Sequence, residues 1–345
     1  MPCGEKPTNR LSAWHSSGAT RQPDPSHAPQ KADQTSMFGP MPLLPGSAVW
    51  QRDRSHSQVL NYHLNMLLDA ARIDSYQRAI EASVQPGDVV VDIGCGTGVL
   101  SFMACEAGAK RVYAIESGPI IEAARELAID NGFADRIEFL DGWSVDVDIP
   151  EPADVLITET IGSAGLDEGI VAWICDARQR LLRPGAVLLP QRLRLWVAAA
   201  QSFDDHAVVA DWQSPDLSYD YSAARRRAER TLWFADIEPS NLLGQPELAA
   251  DIHLATALNE TITSAGHLRV DRDGTLHGLA CWFDSLLCPG VTVDNMPPRC
   301  DSSWSHGFLP LAEPLAVSAG DRLTWELSVS ADGEHWTWQL DSIEG

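Results

Sequence analysis

The sequence predicts an α/β fold, a doubly wound parallel sheet followed by a mostly β domain. Three observations predict it. From 88 to 190, short unbroken apolar runs such as Val89-Val90-Val91 and Val155-Leu156-Ile157 alternate with helix-length segments. Unbroken runs suit strands covered on both faces. A glycine loop, Asp92-Ile93-Gly94-Cys95-Gly96-Thr97-Gly98, closes the first run and opens a helix. After Pro190 the pattern changes to two-residue alternation with frequent helix breakers.

Taken in order, residues 1–45 are rich in Pro, Ser and Gln without periodicity and are expected to be a disordered tail. Residues 57–82 read as one helix, because Leu60, Leu64, Leu67, Leu68 and Ala71 recur at helical spacing, and Pro86-Gly87-Asp88 ends it. Strands are expected at 88–93, 111–116, 136–140, 153–158 and 186–190, with helices at 98–107, 118–131 and 168–182. The connecting lengths suit right-handed crossovers. Beyond Pro190, strands are expected at Leu193–Ala199, Leu276–Phe283, Leu323–Val329 and Trp336–Leu340. The stretch 208–245 reads as a helical excursion, running from Tyr219 and Tyr221 through Arg225-Arg226-Arg227 to Trp233-Phe234.

Composition narrows the function. With 345 residues and 44% hydrophobic content, the chain can bury one large or two medium cores. A net charge of −23 argues against nucleic acid as the partner; taken alone it reads first as general solubility and only mildly favours a cationic substrate through steering. The seven cysteines (Cys3, Cys95, Cys105, Cys175, Cys281, Cys288 and Cys300) include no CxxC pair and no zinc spacing, so no metal is expected. They read as reduced thiols in a cytoplasmic protein. No apolar run has the length of a membrane span, and the N-terminus lacks a signal core.

Two constellations carry chemistry. The first is the glycine loop with Glu116, 22 residues after Gly94 (116 − 94), at the end of the second expected strand. An acid there bonds a ribose diol, and the loop spacing departs from the GxGxxG of dinucleotide enzymes. Together they favour S-adenosylmethionine over a generic strand–helix turn. The second is the pair Glu159 and Glu168, nine residues apart (168 − 159), following the fourth strand. Two carboxylates at the carboxyl end of a parallel sheet suit a cation, and a planar guanidinium is the best geometric match. Thr158-Glu159-Thr160-Ile161 also lacks the Pro-Pro-aromatic signature of amide and adenine N-methyltransferases.

With Met66-Leu67-Leu68-Asp69-Ala70-Ala71-Arg72 and Tyr76 added to these motifs, the chain resembles the protein arginine methyltransferase family. The resemblance implies a doubly wound Rossmann-like sheet in a cofactor domain over 46–190. It also implies a β-barrel-like substrate domain over 191–345, whose helical arm at 208–245 makes a homodimer. It places Arg72 on the cofactor carboxylate and His63 and Met66 near the sulfonium. Asp92, Gly94, Cys95, Gly96, Glu116 and Ser144 complete the cofactor lining. Glu159 and Glu168 hold the guanidinium, and His306 pairs with Asp69 as a dyad, Trp304-Ser305-His306-Gly307 standing for the family's Thr-His-Trp. Three departures follow: Gly307 in place of the Trp, one aromatic (Tyr62) in place of the Tyr-Phe-x-x-Tyr gate, and no acid matching the one against the adenine amine.

The expected activity is methyl transfer from S-adenosylmethionine to a nitrogen of arginine, either free or within a peptide or protein. A guanidinium keeps its proton in water and its lone pairs are delocalised, so two carboxylates must hold it and polarise it. The rival readings are methylation of another small-metabolite amine or hydroxyl, and a silent cofactor-binding scaffold.

Overall fold

A computed structural model describes residues 56–298 and 302–343. The tail expected at 1–45 lies outside the described residues. The first sheet is parallel, with β1 (Val89–Ile93), β2 (Arg111–Glu116), β3 (Ile137–Asp141), β4 (Ala153–Thr158) and β5 (Leu182–Leu189) in the order β3-β2-β1-β4-β5. Every residue of β1 is buried, as its unbroken apolar run requires. The strand order reverses between β1 and β4, whose ends align with Ile93 opposite Thr158. The glycine loop and Glu159 therefore leave adjacent strand ends at the switch point, where such sheets form a crevice.

Around this sheet lie α1 (His56–Leu67), α2 (Ala70–Ser83), α3 (Val99–Glu106), α4 (Ile120–Asp130) and α5 (Ile170–Arg180). The single helix expected over 57–82 is broken at Asp69, which leaves helical geometry (φ −75°, ψ 86°) and caps α2 by accepting from the Arg72 backbone N–H at 3.1 Å. Apolar residues of α1 also face outward: Leu60 and Leu64 are 56% and 50% exposed, as is Leu68 just beyond the helix at 71%. β5 begins four residues earlier than expected (186 − 182).

The β region pairs β6 (Arg192–Ala200), β7 (Trp233–Ala235), β8 (Glu247–His253), β10 (Gly274–Cys288) and β12 (His306–Val317) in the order β7-β12-β10-β6-β8. A short β11 (Val291–Asp294) folds back on β10. A second sheet has β9 (Ile262–Arg269), β13 (Arg322–Val329) and β14 (Trp336–Ile343), with β13 central. In β9, Gly266 leaves room for the Trp325 indole, 2.7 Å from where a Cβ would sit, so the strand lacks a legible apolar face. The helical excursion is shifted toward the N-terminus, to α6 (Phe203–Ala210) and α7 (Ser222–Ala228). Trp233 and Phe234 belong to β7 and pair with β12 rather than extending the excursion.

One contiguous core joins the parallel sheet to the β region, running from Ile93 and Leu156 to Leu195, Phe283 and Leu309. Among the described residues no helix is long and apolar enough to cross a membrane.

Candidate active site

A cavity of about 430 Å³ opens at the switch point. Its floor is the glycine loop. Gly94 and Gly96 adopt φ of 71° and 55°, a region costly for any residue with a side chain. A Cβ on Gly94 would lie 2.8 Å from Thr160 Cγ2, and one on Gly96 would lie 3.1 Å from the His63 ring. The loop backbone is thus the cavity wall. Glu116 ends β2 and accepts from the Gly96 and Gly118 N–H groups at 3.0 and 2.6 Å. Burial raises its carboxyl, and these N–H groups oppose the rise.

Asp92 accepts from Ser101 Oγ at 2.6 Å, and burial pushes its carboxyl up to about 7. Its other oxygen and Ser144 Oγ are buried without a partner. Burial keeps the Cys95 thiol well above its ordinary value, so it lines the wall as a neutral group. Trp143 and Trp173 stack beside Ser144 with ring centroids 5.7 Å apart. Asp92, expected in the cofactor lining, does not line the cavity; the lining carries an acid, Glu116, and the unpaired Ser144 Oγ, together with Arg72, Met66 and His63, whose ring lies against Gly96. Glu116 suits a ribose diol and Arg72 an amino-acid carboxylate, so this lining fits an adenosyl amino acid.

Met66 Sδ lies 3.4 Å from Arg72 Nη2, and His63 is fixed by Val59 O at 2.9 Å from Nδ1. The Arg72 guanidinium forms an ion pair with Glu159 and rests 4.7 Å from the centroid of Trp304. The other Glu159 oxygen is buried and unpartnered. Glu168 lies on the same cavity wall and is hydrogen-bonded to Tyr62. Burial, aided by the charge of Asp167, pushes its carboxyl up to about 8 against the pull of Arg72 and Tyr62.

The loop carrying both glutamates is held from all sides. Trp304 Nε1 donates to Ile161 O at 2.8 Å and Asn295 Nδ2 donates to Ser163 O at 2.8 Å. Trp173 Nε1 donates to the Glu168 carbonyl at 2.7 Å, and Asp167 accepts from the Ala164 N–H at 2.8 Å. The turn between β13 and β14 closes the other side. A Cβ on Gly169 would lie 2.7 Å from Asp332 O, and the Ala172 N–H donates to Ala331 O at 3.2 Å.

The structure does not form the expected dyad of Asp69 and His306. Asp69 accepts from the Ser303 N–H at 2.7 Å and Ser303 Oγ at 3.0 Å. His306 opens β12 opposite Ala235, with Nδ1 accepting from the Ile237 N–H at 3.0 Å and Nε2 buried and unpartnered. It does not line the cavity, whereas Ser303, Trp304 and Ser305 do. The residue that meets Asp69 is therefore Ser303, with Trp304 next to it, and not the expected His306. Gly307 is a buried strand residue whose Cβ would lie 2.8 Å from that of Ala164, so it is not a gap at the mouth. Sequence reasoning missed Ser303, Asn295 and Trp173. Anchoring the motif on Trp304 rather than on a histidine is the signal that finds Ser303.

Comparison with known proteins points to one family. Residues 77–168 match the family model "Ribosomal protein L11 methyltransferase (PrmA)". The chain is 32% identical over 320 residues to probable protein arginine N-methyltransferase 6 of Arabidopsis thaliana, across 89% of this chain and 73% of that one. It is 29% identical to the arginine N(omega)-methyltransferase of Streptomyces achromogenes subsp. streptozoticus, across 79% and 77%. The Trypanosoma brucei PRMT1 enzyme–prozyme heterotetrameric complex with AdoHcy superposes with a TM-score of 0.71 at 25% identity, covering 82% of this chain and 93% of that one. Fold, cavity and similarity converge: the chain belongs to the protein arginine N-methyltransferase family.

Proposed function

We propose that the chain is an S-adenosylmethionine-dependent N-methyltransferase in which Glu159 and Glu168 hold the guanidinium of arginine, free or within a peptide. The observation that carries this reading is that the site already seats a guanidinium. Arg72 lies on Glu159 and over Trp304, inside a buried cavity whose second carboxylate is Glu168. A flat aromatic face below and carboxylate oxygens at the edge are the two features a planar cation requires.

In this reading Arg72 and His63 take the amino-acid end of the cofactor, and Gly94, Gly96, Glu116 and Ser144 take the nucleoside end. The cofactor supplies an electrophilic methyl carbon. Glu159 and Glu168 draw the acceptor's positive charge toward the nitrogens they contact, leaving the remaining terminal nitrogen richer in electron density. The buried loop holds that nitrogen in line for attack, which removes the entropy cost of alignment. Methylation leaves one excess proton. Among the described residues no histidine is hydrogen-bonded to Asp69, and Glu168, ionised against the bound guanidinium, takes it.

The chain is also proposed to act as a homodimer through the excursion at 203–228. Tyr219 on this segment is 80% exposed, with Trp212 and Leu217 beside it in sequence. The uncovered leucines of α1 offer an apolar face of matching character.

Mass spectrometry of incubations with S-adenosylmethionine tests the acceptor. L-arginine and an arginine-rich protein are offered in parallel. A gain of one methyl on either confirms a guanidine acceptor and separates the free from the protein-bound form. Methylation of an amine or hydroxyl that persists in Glu159→Gln overturns the proposal.

A further inference from the structure

Ser303 joins two segments that lie 234 residues apart in the chain. Its backbone N–H and its hydroxyl both donate to Asp69 Oδ2, at 2.7 and 3.0 Å. The same hydroxyl oxygen accepts from Arg72 Nη1 at 3.1 Å. Asp69 Oδ1 holds the Arg72 backbone N–H, also at 3.1 Å. Asp69 and Ser303 thus grip Arg72 at both ends of its side chain. The hydroxyl has one proton, which goes to Asp69, so its lone pair is turned toward the guanidinium. The far edge of that guanidinium, Nη2, is the part that reaches Glu159.

We propose that Ser303, with Asp69, is a positioning residue that sets the direction of the Arg72 guanidinium and thereby makes guanidine binding depend on cofactor binding. The inference rests on the reading that Glu159 receives the acceptor. With Arg72 on Glu159, an internal guanidinium fills the seat, and an incoming one must break a buried ion pair to enter. An amino-acid carboxylate arriving beside Arg72 offers a bidentate partner of the same kind. Arg72 turns to it about the Nη1–Ser303 contact, and Glu159 is uncovered for the acceptor. Cofactor and acceptor then help each other bind although they do not compete for the same atoms, and the coupling is reciprocal by linkage. Because serine does not titrate, this hinge keeps its hydrogen bonds across the working pH range, unlike an imidazole at the same place.

Isothermal titration of the full chain tests the coupling. The acceptor probe is L-arginine, or glycyl-arginyl-glycine if only peptides are methylated, titrated with and without saturating S-adenosylhomocysteine. For the wild type we expect S-adenosylhomocysteine to tighten probe binding about tenfold, within the usual range for coupled sites. In Ser303→Ala the factor falls toward one while the melting profile stays cooperative, and Ser303→Thr, which keeps the hydroxyl, restores it. A purely structural role would weaken both ligands without changing the factor. If neither probe is methylated by the wild type, the acceptor reading fails and this inference fails with it. Normal turnover with unchanged coupling in Ser303→Ala overturns this inference alone.

Discussion

Replacing Glu168 with glutamine separates two effects that the site combines. The amide keeps the shape and the hydrogen bond to Tyr62 but cannot ionise. In the ligand-free protein Glu168 is pushed up to about 8 by burial and Asp167, so near neutral pH it is largely protonated and the substitution changes little. Once a guanidinium arrives, the wild type has a buried charged pair and the variant leaves the cation with one carboxylate. Removing one partner of such a pair costs about 3–5 kcal/mol, or about 10²- to 10⁴-fold in kcat/KM. The pH dependence carries the same signature. Burial raises the folded-state pKa from 4.5, so this group's contribution to stability is complete below that value and is lost as pH rises through about 8. Activity runs the other way: kcat/KM for the free enzyme climbs as Glu168 ionises. Methyl-arginine formation measured by mass spectrometry from pH 6 to 9, beside thermal melts, reads both. A Glu168→Gln variant within threefold of wild-type kcat/KM at pH 8, or one that retains the rising limb, refutes the reasoning.

Two further substitutions probe other parts of the machine. Gly94→Ala places a methyl 2.8 Å from Thr160 Cγ2 at a φ of 71°, so S-adenosylhomocysteine affinity is expected to fall at least about tenfold with a stability loss of about 1–3 kcal/mol, read by titration and melting. Leu64→Glu charges the uncovered face of α1, where the side chain is 50% exposed, and should shift a dimer toward monomer in sedimentation without loss of melting temperature. An unchanged sedimentation coefficient would remove α1 from the interface.

Features with short-range cause were legible in the sequence. The glycine loop, Glu116 and the Glu159–Glu168 spacing are local patterns, and the structure brings all of them to one cavity because β1 and β4 are neighbours. Long-range contacts were not legible. Asp69 finds its partner 234 residues away, and a histidine three positions along (306 − 303) is the more conspicuous candidate until the fold shows it inside β12. The α1 leucines announce an apolar face but not what covers it. β9 went unread because its register opposes β13 through a glycine that makes room for Trp325, leaving no apolar alternation to see.

The turn between β13 and β14, pressed against the loop of the two glutamates, also bears on how the protein matures. Both glutamates are translated well before the backbone that braces their loop, which includes Ala331 and Asp332. During synthesis the parallel sheet has all its strands by Leu189 and can assemble early, while its acidic loop stays without that brace until the β13–β14 hairpin emerges. Competence to bind a guanidinium therefore follows assembly of the parallel sheet. A nascent or truncated chain that folds its cofactor half is expected to take up the nucleoside without presenting an ordered acceptor seat, which keeps methyl-transfer chemistry silent until the polypeptide has closed on itself.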